Sequence, residues 1–176
     1  MKFIKTGLEG AFVIELEPAS DERGFFARAF CVREFEEHGL NIRVVQCNLS
    51  FNPKQGTMRG LHYQVQPAAE VKLVRCTRGA VFDVIVDVRP GSTTYLKWFG
   101  VELTSDSRTM IYVPEGYAHG YLSLVDNSEV FYQVSDFYSP GHERGARWND
   151  PTFAIRWPAE PKVISIKDRT YPDFKP

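Results

Sequence analysis

Cysteine is sparse in this chain: Cys31, Cys47 and Cys76 are the three present in 176 residues. Their number is odd, their spacing wide, and they form neither a CxxC pair nor a zinc-ligand pattern. Cys31 and Cys76 read as small core or half-buried residues. Charge of one sign is also missing. The 21 basic and 22 acidic residues leave a net charge of -1, and no basic block of five or six stands out, so nucleic acid is not expected as a partner. A small anion held by a few arginines remains compatible with that balance. No apolar run reaches the roughly 18 residues needed to span a bilayer. The opening Met1-Lys2-Phe3-Ile4-Lys5-Thr6 lacks the apolar segment of a signal peptide, so no membrane partner and a cytoplasmic location are expected. There is no internal repeat, linker or low-complexity segment.

What is present suits one domain over residues 1–176, with 43% hydrophobic content to build its core. Val13 to Glu17 reads as a strand stopped by Pro18, and Asp21-Glu22-Arg23-Gly24 as a turn leading into Phe25 to Phe30. One helical signal follows over Val32 to His38. There Val32, Phe35 and Glu36 are at helical spacing, Gly39 supplies a stop, and His38 is expected as a solvated residue at the negative end of the helix dipole. From Ile42 to Tyr138 short runs rich in Val, Ile, Phe, Tyr and Thr are broken at Asn52-Pro53, Arg78-Gly79, Arg89-Pro90-Gly91, Asp106-Ser107 and Asp126-Asn127. Regular turns without a second helix predict an antiparallel sandwich or barrel. In the clearest strand, Ala80 to Val88, alternation puts Val81, Asp83, Ile85 and Asp87 on one face and Phe82, Val84, Val86 and Val88 on the other. An interior Asp83 would need a donor or a cation beside it. The proline-rich tail after Trp157-Pro158 is expected to wrap the surface.

The stretch Arg59-Gly60-Leu61-His62-Tyr63-Gln64, with Lys72 ten residues past His62, lies between two apparent strands. An imidazole and an ammonium directed into one enclosed space would suit proton abstraction next to a carbonyl. The imidazole acts as base, and the ammonium holds the charge that develops on oxygen. On spacing alone His62 reads equally well as a satisfied core histidine and Lys72 as a strand-edge lysine.

His62 with Glu70, followed by His119 in Pro114-Glu115-Gly116-Tyr117-Ala118-His119-Gly120, resembles the two-part cupin signature. That resemblance implies an all-β, double-stranded β-helix (jelly-roll) with one or two short helices. A metal-dependent cupin would use His62, Glu70 and His119 as ligands. Gln64 stands where such cupins carry a second histidine, and an amide oxygen is the poorer ligand for a transition metal. A fuller set of motifs covers nearly the whole chain: Asp21 to Phe26, Arg59 to His62, Lys72 to Arg75, Phe82-Asp83-Val84, Pro114 to Gly120, Tyr132, Tyr138-Ser139-Pro140, Trp148-Asn149-Asp150 and Lys167-Asp168. Together they resemble the dTDP-4-dehydrorhamnose 3,5-epimerase family.

The resemblance implies epimerisation of a nucleotide-linked 4-keto-6-deoxyhexose at C3 and C5, with no metal and no organic cofactor, by a homodimer that could exchange an N-terminal edge strand. It implies His62 as the base, Asp168 as the carboxylate that orients it, Lys72 as the cation at the enolate oxygen and Tyr132 as the acid on the opposite face. Without it, Tyr132 reads as strand packing and Asp168 as a solvated tail residue. Arg23, Arg59, His119 and Lys167 match positions that meet the nucleotide or diphosphate, a group that arginine forks suit. Gln46, Asn48 and Glu143 match further substrate contacts, Phe26 and Tyr138 aromatic ones, and His142 is expected at the surface. Two departures mark the nucleotide pocket: Arg28 stands where many members carry glutamate, and Cys47 where they carry aspartate. These predict altered base or ribose binding and a nucleotide other than dTDP. A mono-epimerase on another nucleotide sugar and a catalytically silent sugar-nucleotide binder are the alternatives.

Overall fold

A computed structural model describes residues 1–41 and 43–176 of the chain. The chain begins with β1 (Lys2–Lys5) and β2 (Phe12–Glu15), then a small hairpin of β3 (Ala19–Asp21) and β4 (Gly24–Phe26), then helix α1 (Val32–Glu37). Next come β5 (Gln46–Asn52), β6 (Thr57–Gln64), β7 (Lys72–Arg78), β8 (Ala80–Asp87) and β9 (Trp98–Thr104). The remainder is β10 (Met110–Val113), β11 (Tyr117–Ser123), β12 (Ser128–Val134), β13 (Glu143–Gly145), β14 (Val163–Ile164) and helix α2 (Ile166–Arg169). The anticipated start of the strand-rich region, Ile42, lies outside the described residues. In the first sheet the order is β1-β2-β10-β7-β12-β5. In the second it is β13-β6-β11-β8-β9, with β14 joining β6 as its one parallel neighbour among the described residues. The two sheets form a jelly-roll of the cupin type.

The core follows from strand alternation. Val74 of β7, Ile111 of β10 and Val130 of β12 come from the first sheet and pack against Val81 and Ile85 of β8, Leu103 of β9 and Tyr121 of β11 from the second. This cluster therefore lies between the sheets. The opposite face of β8, with Val84 and Val86, packs under Phe153, Trp157 and Phe174 of the tail. Both faces of β8 are thus covered, and its two apolar rows are the ones alternation assigns. The outer face of the first sheet is covered by α1, where Phe35 packs against Ile14, Leu73 and Tyr112. His38 ends that helix as expected. It is more than a solvated residue, because its ring stacks on Phe3 with centroids 3.9 Å apart.

The tail carries an element the sequence did not announce, helix α2. Ser165 caps it, its hydroxyl accepting from the Asp168 amide at 3.0 Å.

Candidate active site

His62 projects from β6 beside a cavity of about 290 Å³ lined also by Gln46, Asn48, Glu70, Lys72, Tyr132, Tyr138 and Glu143. An adjoining recess of about 90 Å³ shares His62, Lys72 and Tyr132 and adds Ser50, Arg59, His119 and Tyr121. The strands decide which side each group comes from. β6 belongs to the second sheet, whereas β7, with Lys72, and β12, with Tyr132, belong to the first. An imidazole therefore faces an ammonium and a phenol across the space between the sheets.

His62 Nε2 lies 2.7 Å from Asp168 Oδ1. A carboxylate only accepts, so Nε2 carries the hydrogen and Nδ1 keeps the free lone pair. Asp168 is buried. Burial alone would raise its carboxyl, but hydrogen bonds from His62, the Gly60 amide at 3.2 Å and Ser165 hold it below the usual carboxylate range. Gly60 is required there: its φ is +106°, and a Cβ would meet the His119 carbonyl at 2.6 Å. Asp168, expected to be solvated on residue type alone, is instead the buried partner of an imidazole 106 residues away.

Lys72 is buried, with Nζ 3.1 Å from Glu70 Oε1 and 3.4 Å from the His62 carbonyl. Burial raises the Tyr132 phenol, and the phenol of Tyr121 and the charge of Glu70 raise it further against the lowering by Arg59. Asp83 is interior. Its carboxylate takes His119 Nε2 at 2.8 and 3.0 Å, and burial pushes its carboxyl up against the opposing pull of His119 and Lys72. Arg59 is fixed by Nε donation to Asn52 Oδ1 at 2.8 Å and Nη2 donation to the Phe51 carbonyl at 3.2 Å. At the mouth, Glu143 Oε2 accepts from Tyr138 at 2.9 Å and from Lys167 at 2.5 Å. Burial would raise Glu143, and these two donors bring it down.

The structure thus gathers His62, Lys72, Tyr132, Gln46, Asn48, Arg59, His119, Tyr138 and Glu143 around connected space, with Asp168 behind and Lys167 at the rim. Four expected residues do not line this cavity within the single chain. Arg23 is exposed on the hairpin, paired with Asp21 at 2.5 Å, and Phe26 on the same hairpin is 78% exposed. Arg28 pairs with Glu34 at 2.9 Å. Cys47 lies on β5 between Gln46 and Asn48, so alternation turns it to the outer face, where it is exposed. His142, expected at the surface, is half-buried and bonded through Nδ1 to Ser139 at 2.7 Å.

The cupin metal ligands are each engaged elsewhere: His62 with Asp168, His119 with Asp83, Glu70 with Lys72. No group of three His, Cys, Asp or Glu converges as a metal site among the described residues. Gln64, at the position of the second cupin histidine, is a structural clamp. Its amide donates to the Ala68 and Phe137 carbonyls and accepts from the Ser139 amide. Sequence reasoning missed Ser50 and Tyr121. The period-two row of Gln46 and Asn48 points to Ser50, and the row of His119 points in the same way to Tyr121.

Comparison with known proteins bears on the family of the chain. The profile of the dTDP-4-dehydrorhamnose 3,5-epimerase family matches residues 5–176. The dTDP-4-dehydrorhamnose 3,5-epimerase of Methanothermobacter thermautotrophicus is 44% identical over 97% of this chain and 92% of its own. The dTDP-4-dehydrorhamnose 3-epimerase of Streptomyces niveus is 39% identical over 96% of this chain and 82% of its own. The crystal structure of the 3,5-epimerase from Bacillus anthracis, with TDP and pyrophosphate bound, superposes with a TM-score of 0.94 at 39% identity, covering 98% of this chain and 99% of that one. The chain belongs to the dTDP-4-dehydrorhamnose 3,5-epimerase family.

Proposed function

We propose that this protein inverts C3 and C5 of a dTDP-linked 4-keto-6-deoxyhexose, drawing on no metal or organic cofactor. The observation that carries the reading is the placement of His62 on one sheet opposite Lys72 and Tyr132 on the other. Inversion next to a ketone needs a base on one face of the sugar, an acid on the other, and a cation at the enolate oxygen. His62 Nδ1 takes the carbon-bound proton, and Asp168 stabilises the imidazolium that forms. Lys72 holds the enolate oxygen, and Tyr132 returns a proton to the opposite face. Solvent then reprotonates the phenolate and removes the proton from the imidazolium.

The guanidinium of Arg59 in the recess suits the diphosphate. Arg28 pairs with Glu34 and Cys47 faces outward, so neither departure alters the cavity wall, and dTDP is the nucleotide assigned. Residues 1–176 are read as one domain. Among the described residues no helix is long and apolar enough to cross a membrane, and the reading places the enzyme in the cytoplasm. It also makes the protein a homodimer. β1 and β5 are the free edges of the first sheet, and the outer row of β5 exposes Leu49 and Phe51. Twice the chain mass in solution is the expected result.

The test is proton exchange. With dTDP-4-keto-6-deoxyglucose in deuterated water, NMR signals of the C3 and C5 protons should both fade. Loss at C3 alone would favour the mono-epimerase reading, which the relative from Streptomyces niveus supports. Loss at neither position in folded protein would overturn epimerisation.

A further inference from the structure

The segment that brings Asp168 to His62 also brings a second group. Three residues on, Tyr171 sets its ring edge-to-face against the imidazole, with centroids 6.1 Å apart and planes at 67°. Tyr171 is not among the residues lining the cavity or its recess, so the contact lies outside the ligand space. Room for the ring is made by Gly145, the residue paired with His62 across β13 and β6. A Cβ at Gly145 would collide with the Tyr171 ring. The phenol oxygen is buried beside the Lys167 ammonium but makes no well-formed hydrogen bond. A buried hydroxyl left unpaired lowers stability, so the position makes use of the ring rather than the oxygen.

We propose that Tyr171 is a positioning residue for His62. One hydrogen bond to Asp168 leaves the imidazole free to tilt about that bond. The ring of Tyr171 removes this freedom, keeping Nε2 on the carboxylate and Nδ1 aimed into the cavity. The inference rests on the reading of His62 as the base and adds to it a residue that touches neither substrate nor proton.

Steady-state kinetics of Tyr171→Phe, Tyr171→Ala and Tyr171→Leu, with thermal melting of each and with His62→Asn as control, test it. Tyr171→Phe keeps kcat and melts no lower than the parent. Tyr171→Ala loses roughly tenfold to a hundredfold in kcat, the scale of a misplacement of about 1 Å, with KM unchanged. Tyr171→Leu fills the volume without a ring edge and shows the same split, which keeps the test valid if the alanine variant unfolds. An unchanged kcat in folded Tyr171→Leu overturns the inference, as does a loss in Tyr171→Phe equal to that of Tyr171→Leu. Activity retained in His62→Asn overturns the base assignment itself. An inactive His62→Asn beside a fully active Tyr171→Leu overturns only the positioning role.

Discussion

Tyr132 illustrates how burial tunes a single group for the role of acid proposed for it. Its phenol is raised above an ordinary tyrosine, so it holds its proton at alkaline pH where an exposed phenol, with a pKa of about 10, has begun to ionise. The sign is that of an acid whose protonated form is favoured: activity carried by Tyr132 persists upward in pH. The alkaline limb of the kcat profile is therefore expected above about pH 10. In Tyr132→Phe that limb disappears, and the rate falls by roughly a hundredfold to ten-thousandfold. A pH-rate series on both proteins checks this. The pairing of His62 and Lys72 was legible as a possibility from spacing, but their convergence was not. It depends on two strands from different sheets, a relation that sequence distance does not carry. Asp168 was less legible still, because a carboxylate in a polar tail has the composition of a solvated one.

Among the elements, α2 is the shorter of the two helices and the one on which His62 depends for its carboxylate. It has four residues, and its hold on β6 includes the Asp168 contacts to Gly60 and His62. So short a helix lacks the propagation that stabilises longer ones, and its cap matters in proportion. Ser165→Ala is expected to cost about 1 kcal/mol, the usual worth of such a cap, and to lower kcat while leaving the sheets intact. Denaturant titration followed by far-UV signal and by activity separates the two effects. The helix was hidden because the tail has no apolar periodicity to reveal it, whereas β8 was readable from its alternation between two turns. Strand β5 shows where alternation separates residues that the family resemblance had grouped. Gln46 and Asn48 on one face leave Cys47 on the other, and period two alone would have removed Cys47 from the site. Arg23, Phe26 and Arg28 carried no comparable signal, since nothing in their local pattern says how far the hairpin and the segment after it lie from the cavity.

For the whole molecule, the loop that follows β8 is tied by Asp87. Its buried carboxylate accepts from Arg89 at 2.8 and 2.9 Å, from Ser92 at 2.5 Å and from Thr94 at 2.6 Å. Burial works to raise this carboxyl, and the donors overcome it and hold it far below the ordinary range. A depressed folded value means that the contribution is present above the unfolded pKa of about 3.9 and is lost as the pH falls through the folded value. Asp87→Asn is expected to cost about 3 kcal/mol at neutral pH, because it leaves Arg89 without its counter-charge, and to move the midpoint of acid unfolding to higher pH. Circular dichroism across a pH series measures both. The division of His62 from Lys72 and Tyr132 between facing sheets has a further meaning at this scale. In the proposed mechanism, the gap across which a proton is removed and returned is the thickness of the apolar filling between the sheets, made by residues such as Val74, Val81, Ile85 and Val130. Those side chains are the gauge blocks of the reaction. A methylene added or removed among them changes the separation of base and acid while leaving every cavity residue chemically untouched.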